Sequence, residues 1–108
     1  MIISDPSLAS GYVDKDGRSV LFDDLGELFA DLKANPSLRG ISYVHDASDD
    51  AWIKAESACF VRVSGLQTPM GSGVIAFRDV AASREWQRRY SKPTTACSNL
   101  AEELASPE

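Results

Sequence analysis

Few side chains in this chain can do metal or nucleophilic chemistry, and their types narrow what that chemistry is. The 108 residues hold one histidine, two cysteines and two methionines. Met70 lies in Thr68-Pro69-Met70-Gly71-Ser72-Gly73, a glycine-bounded stretch outside any periodic apolar pattern. A thioether there either plugs the core beneath a loop or serves as a soft ligand, the kind that selects Cu(I) over hard cations. His45 follows a strand-like run and precedes Asp46. Adjacent strand residues point to opposite faces, so these two cannot act as a dyad with each other. The imidazole is then a hydrogen-bonded structural group or a metal ligand. Cys59 and Cys97 form no Cys-x-x-Cys pair. Two separate core thiols are the plainer reading, and a disulfide is the alternative.

Other chemistries are excluded by spacing or charge. Asp46, Asp49 and Asp50 lack the alternating pattern and closing glutamate of a calcium loop. Gly71 and Gly73 are too few and wrongly placed for a phosphate loop. A lone histidine and two cysteines leave no room for a zinc finger, a haem attachment or most Ser-His-Asp schemes. Eleven basic against 16 acidic residues give a net charge of −5, which disfavours nucleic acid and anionic membrane surfaces. Arg84, Arg88 and Arg89 therefore read as the solvated face of a helix. No apolar run approaches the roughly 20 residues of a membrane span. The N-terminus carries neither a basic segment nor a long apolar run, so no secretory signal is legible within the sequence.

The elements that must position these groups are set by periodicity. Leu8–Val13 suits a strand, Asp14-Lys15-Asp16-Gly17 a turn, and Ser19–Phe22 the returning strand. Asp24 followed by Glu27 resembles a capping box, and Leu25, Leu28, Phe29 and Leu32 mark one buried helical face. Asn35-Pro36 stops that helix, and Gly40–Val44 reads as a third strand. Ser48-Asp49-Asp50 is a surface connection leading into Trp52.

The order then recurs. Ala58–Val63 and Gly73–Phe77 are strand patterns, and Asp79 caps a helix expected to bury Ala82, Trp86 and Tyr90. Lys92-Pro93 closes it, ahead of a weak strand at Thr95–Cys97. Val20–Leu25 and Ile75–Val80 match in register. The expected fold is α+β, two similar β-β-α-β units packed as an internal duplication. The units span residues 1–47 and 48–101, with 102–108 a polar tail. Phe29 and Trp86 should occupy corresponding buried positions.

Taken together, several segments resemble the NosL family. They are Val20-Leu21-Phe22-Asp23-Asp24-Leu25-Gly26, Tyr43-Val44-His45-Asp46 with Trp52-Ile53, Thr68-Pro69-Met70-Gly71-Ser72-Gly73 and Ala76-Phe77. The resemblance implies two β-β-α-β units and a copper-binding accessory lipoprotein associated with nitrous oxide reductase maturation. It implies a periplasmic or membrane-anchored setting and delivery of Cu(I) to a recipient cuproenzyme. The family usually carries Cys-x-Met before the first strand. Here Ile2-Ile3-Ser4-Asp5 resembles the segment just after that motif, which places Met1 on the motif methionine and the cysteine upstream of this sequence. The implied ligands are Met1 and Met70, with His45 a third donor.

The expectation is therefore a copper chaperone and not an enzyme. A lipid anchor, if there is one, would lie upstream; with Met1 as the true start the setting is cytoplasmic. Two other readings stand beside it. One is a domain that keeps the fold without metal and serves in protein contacts. The other is a thiol enzyme resembling alkylmercury lyase, built from Cys59, Cys97 and Asp46.

Overall fold

In the computed structural model, which describes residues 9–49, 51–63, 65–68, 71–90 and 94–105, the first hairpin is set by its turn. Asp14 Oδ1 accepts the N–H groups of Asp16 and Arg18, each at 2.9 Å, and Gly17 adopts a φ of 81°. Glycine suits that left-handed geometry because it has no Cβ to clash. The turn fixes β1 (Ser10–Val13) against β2 (Ser19–Phe22), with Ser10 opposite Phe22. Helix α1 (Leu25–Ala34) starts at the Asp24 cap and buries Leu25, Leu28, Phe29 and Leu32, as their spacing predicts. Pro36, with no N–H to continue the ladder, opens a 3-10 turn over Pro36–Ile41.

Strand β3 (Ser42–His45) returns antiparallel to β1 and sets Val44 opposite Ser10. A further strand, β4 (Trp52–Lys54), pairs with β3 and completes the order β2-β1-β3-β4. The second sheet pairs β5 (Cys59–Arg62) with β6 (Val74–Phe77), and α2 (Val80–Tyr90) follows. Thr94 and Ser98 then make single antiparallel bridges to Val63 and Phe60. Strand β5 thus lies between β6 and this closing segment, as β1 lies between β2 and β3. A parallel bridge from Asp46 to Ala76 joins the two sheets. The α+β class is the one expected.

The sheets differ in how they are covered. Val20, Phe22, Val44 and Ile53 alternate with Leu21, Tyr43 and Trp52 along the first sheet. Its inner face packs on α1, and Leu21, Tyr43 and Trp52 remain exposed on the outer one. In the second sheet, Phe60, Val74 and Ala76 join the core under α1, while Val61, Ile75 and Phe77 form another core with Ala82 of α2. Both faces of β5 and β6 are therefore apolar, which is why they read as continuous hydrophobic runs and not as alternating ones. The Phe29 ring meets Phe60 edge-on at 5.2 Å, so the helix of the first half seats on a strand of the second.

Three expectations are corrected. Residues 102–105, expected in the polar tail, belong to helix α3 (Leu100–Ala105). Asn99 and Glu102 cap each other reciprocally, Glu102 N donating to Asn99 Oδ1 at 2.8 Å and Asn99 N to Glu102 Oε1 at 3.0 Å. Leu100 and Leu104, one turn apart, pack into the α1 core and hold the helix down. Tyr90, expected to be buried, is 52% exposed at the end of α2, and Trp86 is half-buried against Phe77. Finally, Cys59 and Cys97 are not separate thiols but a disulfide, their Cα atoms 5.5 Å apart. The bridges at Phe60 and Val63 bring the closing segment alongside β5 and so bring the sulfurs together.

Candidate metal centre

The glycines of the 65–73 loop shape it. Gly65, Gly71 and Gly73 all have positive φ, near 78°, 80° and 68°. Gly71 N donates to the Thr68 carbonyl at 3.0 Å, closing a turn. Thr68 is buried, and its hydroxyl donates to Asp24 Oδ2 at 2.5 Å while accepting from Gly73 N at 3.1 Å. Ser72 N donates to the same Asp24 oxygen at 3.3 Å, and Ser72 Oγ accepts from Val74 N at 3.2 Å. The positions on both sides of Pro69-Met70 are thus bonded to the start of α1. Met70 itself, like Met1, lies outside the described residues.

His45 is described, and its surroundings define its proton. The ring is 8% exposed, and Nδ1 stands 3.2 Å from the carbonyl oxygen of Ala9, which also accepts the His45 backbone N–H at 3.2 Å. A carbonyl can only accept, so this contact puts a hydrogen on Nδ1, and in the neutral tautomer that leaves Nε2 with the lone pair. Such a hydrogen bond is the usual means of orienting a ligating histidine. Trp52, directly across from His45 in the β3–β4 register, lies against the ring with centroids 3.9 Å apart. Ser10 faces both Phe22 and Val44, so Asp24 and His45 leave the sheet at the end where β1 begins.

Asp46 points elsewhere, as strand alternation requires. It is fully buried and accepts from Ser48 N and Oγ at 2.8 and 2.5 Å and from Arg78 N and Nη1 at 3.1 Å each. Burial raises its pKa, but the hydrogen bonds from Ser48 and Arg78 outweigh burial and hold the carboxyl below the usual carboxylate range. Arg78 Nη1 also reaches Asp49 Oδ2 at 3.1 Å, so this acidic turn is occupied by a guanidinium. Among the described residues, no group of three or more His, Cys, Asp or Glu side chains could hold a metal ion. Cys59 and Cys97, joined to each other, offer no thiolate in this state.

Two arrangements are not legible in the sequence. The capping role of Asp24 can be read there, but its grip on Thr68 and Ser72 cannot, because the partners lie 44 and 48 residues away. The Asp46–Arg78 pair likewise spans the halves.

Fold and site together define a small α+β protein whose described surface holds no closed metal cage. A backbone carbonyl orients its histidine through Nδ1, and Thr68 and Ser72, on either side of Pro69-Met70, are bonded to Asp24. The chain belongs to the NosL family, whose model matches residues 1–105. That family is associated with copper, and membership carries a copper-related accessory role. No curated protein and no solved structure matches the chain.

Proposed function

We propose that the protein carries Cu(I) as cargo and passes it to a recipient cuproenzyme such as nitrous oxide reductase, acting as an accessory protein without catalysis of its own. The observation that carries this reading is the Thr68–Ser72 loop, bonded on both sides of Met70 to a buried carboxylate. A thioether held in such a loop suits a soft monovalent cation. Met70 is the proposed central donor, with Met1 and the Nε2 atom of His45 completing the set. Two thioethers and an imidazole are too soft and too neutral for calcium or magnesium. Few donors leave an open coordination position, through which a recipient's ligand can enter and draw the ion away.

The proposed setting is extracytoplasmic, through an upstream signal and lipid anchor. The Cys59–Cys97 disulfide supports it, because such bonds persist in oxidising compartments. Titration with Cu(I) against a competing chelator tests the reading. The chain should bind the ion, Met70→Ala should lose most of that affinity, and extension by a cysteine two residues before Met1 should tighten it by orders of magnitude. A chain whose affinity is unchanged by Met70→Ala would sink the proposal. The exposed Leu21, Tyr43 and Trp52 favour a second reading, a metal-free contact domain, and the same titration separates the two.

A further inference from the structure

Cys59 and Cys97 join β5 to the closing segment, yet the sulfurs are not all that holds the two together. On either side of Cys97 the closing segment is bonded to β5. Thr95 N donates to the Arg62 carbonyl at 3.0 Å, and Phe60 and Ser98 exchange backbone hydrogen bonds of 2.7 and 2.9 Å. Farther on, Arg62 Nη2 reaches Glu103 Oε1 of α3 at 2.8 Å. With the disulfide opened, these contacts still hold the two thiols side by side, on Cα atoms 5.5 Å apart.

The two sulfurs are not equally accessible. Cys59 is 7% exposed in β5, opposite Phe77. Cys97 is half-buried against the cluster of Val61, Phe77 and Ala82. It also lines a groove of about 270 Å³, whose other wall is one face of α2: Val80, Ser83, Arg84 and Gln87, at i, i+3, i+4 and i+7.

We propose that Cys59 and Cys97 form a second soft-metal site, closed by their disulfide and opened to Cu(I) by a dithiol that enters the α2 groove. The site uses none of Met1, Met70 and His45, so it goes beyond the reading above and does not depend on it. The opening step is thiol–disulfide exchange. A thiolate of the dithiol attacks Cys97 Sγ, the bond to Cys59 breaks, and Cys59 leaves as a thiolate that takes a proton. The second thiol of the reductant then attacks its own sulfur in the mixed disulfide and releases Cys97. Two electrons and two protons pass to the protein, and the dithiol becomes a disulfide. Cu(I) then replaces the two thiol protons, which leave to solvent, and keeps its oxidation state. Arg84, on the groove wall, gives the incoming thiolate a cation to approach.

The donor set selects the ion. Thiolates favour soft cations. Among the described residues no group of three or more His, Cys, Asp or Glu side chains could hold a metal, so the pair offers two ligands. That leaves zinc short of the four it takes, whereas two thiolates satisfy Cu(I).

The test compares the whole oxidised chain with the chain reduced by a dithiol and freed of it by gel filtration under nitrogen. Both forms of the wild type, Met70→Ala and Cys97→Ser are titrated with Cu(I) against a competing chelator. The reduced wild type should hold one Cu(I) more than the oxidised, with a thiolate-to-copper charge-transfer band that the oxidised form lacks. Met70→Ala should keep that extra ion, and Cys97→Ser should lose it. In the reduced wild type, Cu(I) should also protect both cysteines from alkylation, a measurement that needs no variant.

Equal copper uptake by the two forms would overturn the proposal. So would an extra ion that Cys97→Ser retains or Met70→Ala loses, or a disulfide that yields to the dithiol only in denaturant. Should Cys97→Ser fail to fold, alkylation decides, and equal rates with and without Cu(I) overturn the site. Uptake by the oxidised chain tests the Met70 reading and the difference between the forms tests this one, so either can fail alone.

Discussion

Asp46, at the end of β3, and Arg78, at the end of β6, meet through one buried carboxylate oxygen, which takes both the backbone N–H and the guanidinium of Arg78 at 3.1 Å. The contact stands beside the Asp46–Ala76 bridge and ties the two sheets into one unit. Because Asp46 has a lowered pKa in the fold, its contribution is fully present above the unfolded value of about 3.9 and is lost as pH falls through the folded value. Asp46→Asn should cost about 1–3 kcal/mol near neutrality by leaving donors badly matched. Urea unfolding at pH 7 and again below the folded pKa should show the wild type and the variant converging in acid. A gap that stays constant would mean the carboxylate charge is irrelevant.

The disulfide has a separate and larger effect. Cys59 and Cys97 are 38 residues apart, so breaking the bond frees a long loop in the unfolded chain. Reduction, or Cys97→Ala, should lower stability by about 2–4 kcal/mol, read as a shift of the denaturation midpoint with and without reductant. Identical midpoints would show that the sulfurs are unbonded in solution.

Phe29 and Trp86 should not be equivalent. The first is buried and edge-packed on Phe60, whereas the second keeps part of its ring in water. Phe29→Ala should cost about 3–5 kcal/mol. Trp86→Ala should cost less, about 1–2 kcal/mol, because only part of its area leaves water. Equal losses measured by chemical denaturation would restore the symmetry that the sequence suggests.

The imidazole offers a test without metal. Long-range proton–nitrogen correlation spectra of the neutral imidazole should show its hydrogen on Nδ1. The opposite tautomer would mean that the Ala9 carbonyl does not orient the ring, and His45 would leave the ligand set.

Much of the fold is legible because local signals agree. The Asp14–Gly17 turn, the Asp24 cap and the Leu25–Leu32 face each point to the element that forms. Strand β4 is missed because three residues behind an acidic turn carry too little pattern to stand out. Helix α3 is missed through emphasis on its charge, although Asn99-Leu100-Ala101-Glu102 holds a capping box in plain view. Tyr90 follows the apolar period of α2 but is its last residue, half exposed with its ring against the partly buried Trp86, so period alone misplaces it. The site is less legible than the fold. Loop residues that look functional are visible in one line of sequence, whereas the carboxylate that holds them depends on chain folding across 44 positions.

The unequal covering of the two sheets sets how each half can change over generations. Substitutions at β5 and β6 meet a packed core whichever way the side chain points, so drift there is confined to apolar exchanges of similar volume. On the first sheet, Val13, Leu21, Tyr43 and Trp52 face water and can vary without threatening the fold. New recognition features are therefore acquired cheaply only on the first sheet. Adaptation to a different docking partner would be written in the neighbourhood of Leu21, Tyr43 and Trp52, with the second sheet serving as the unchanging foundation.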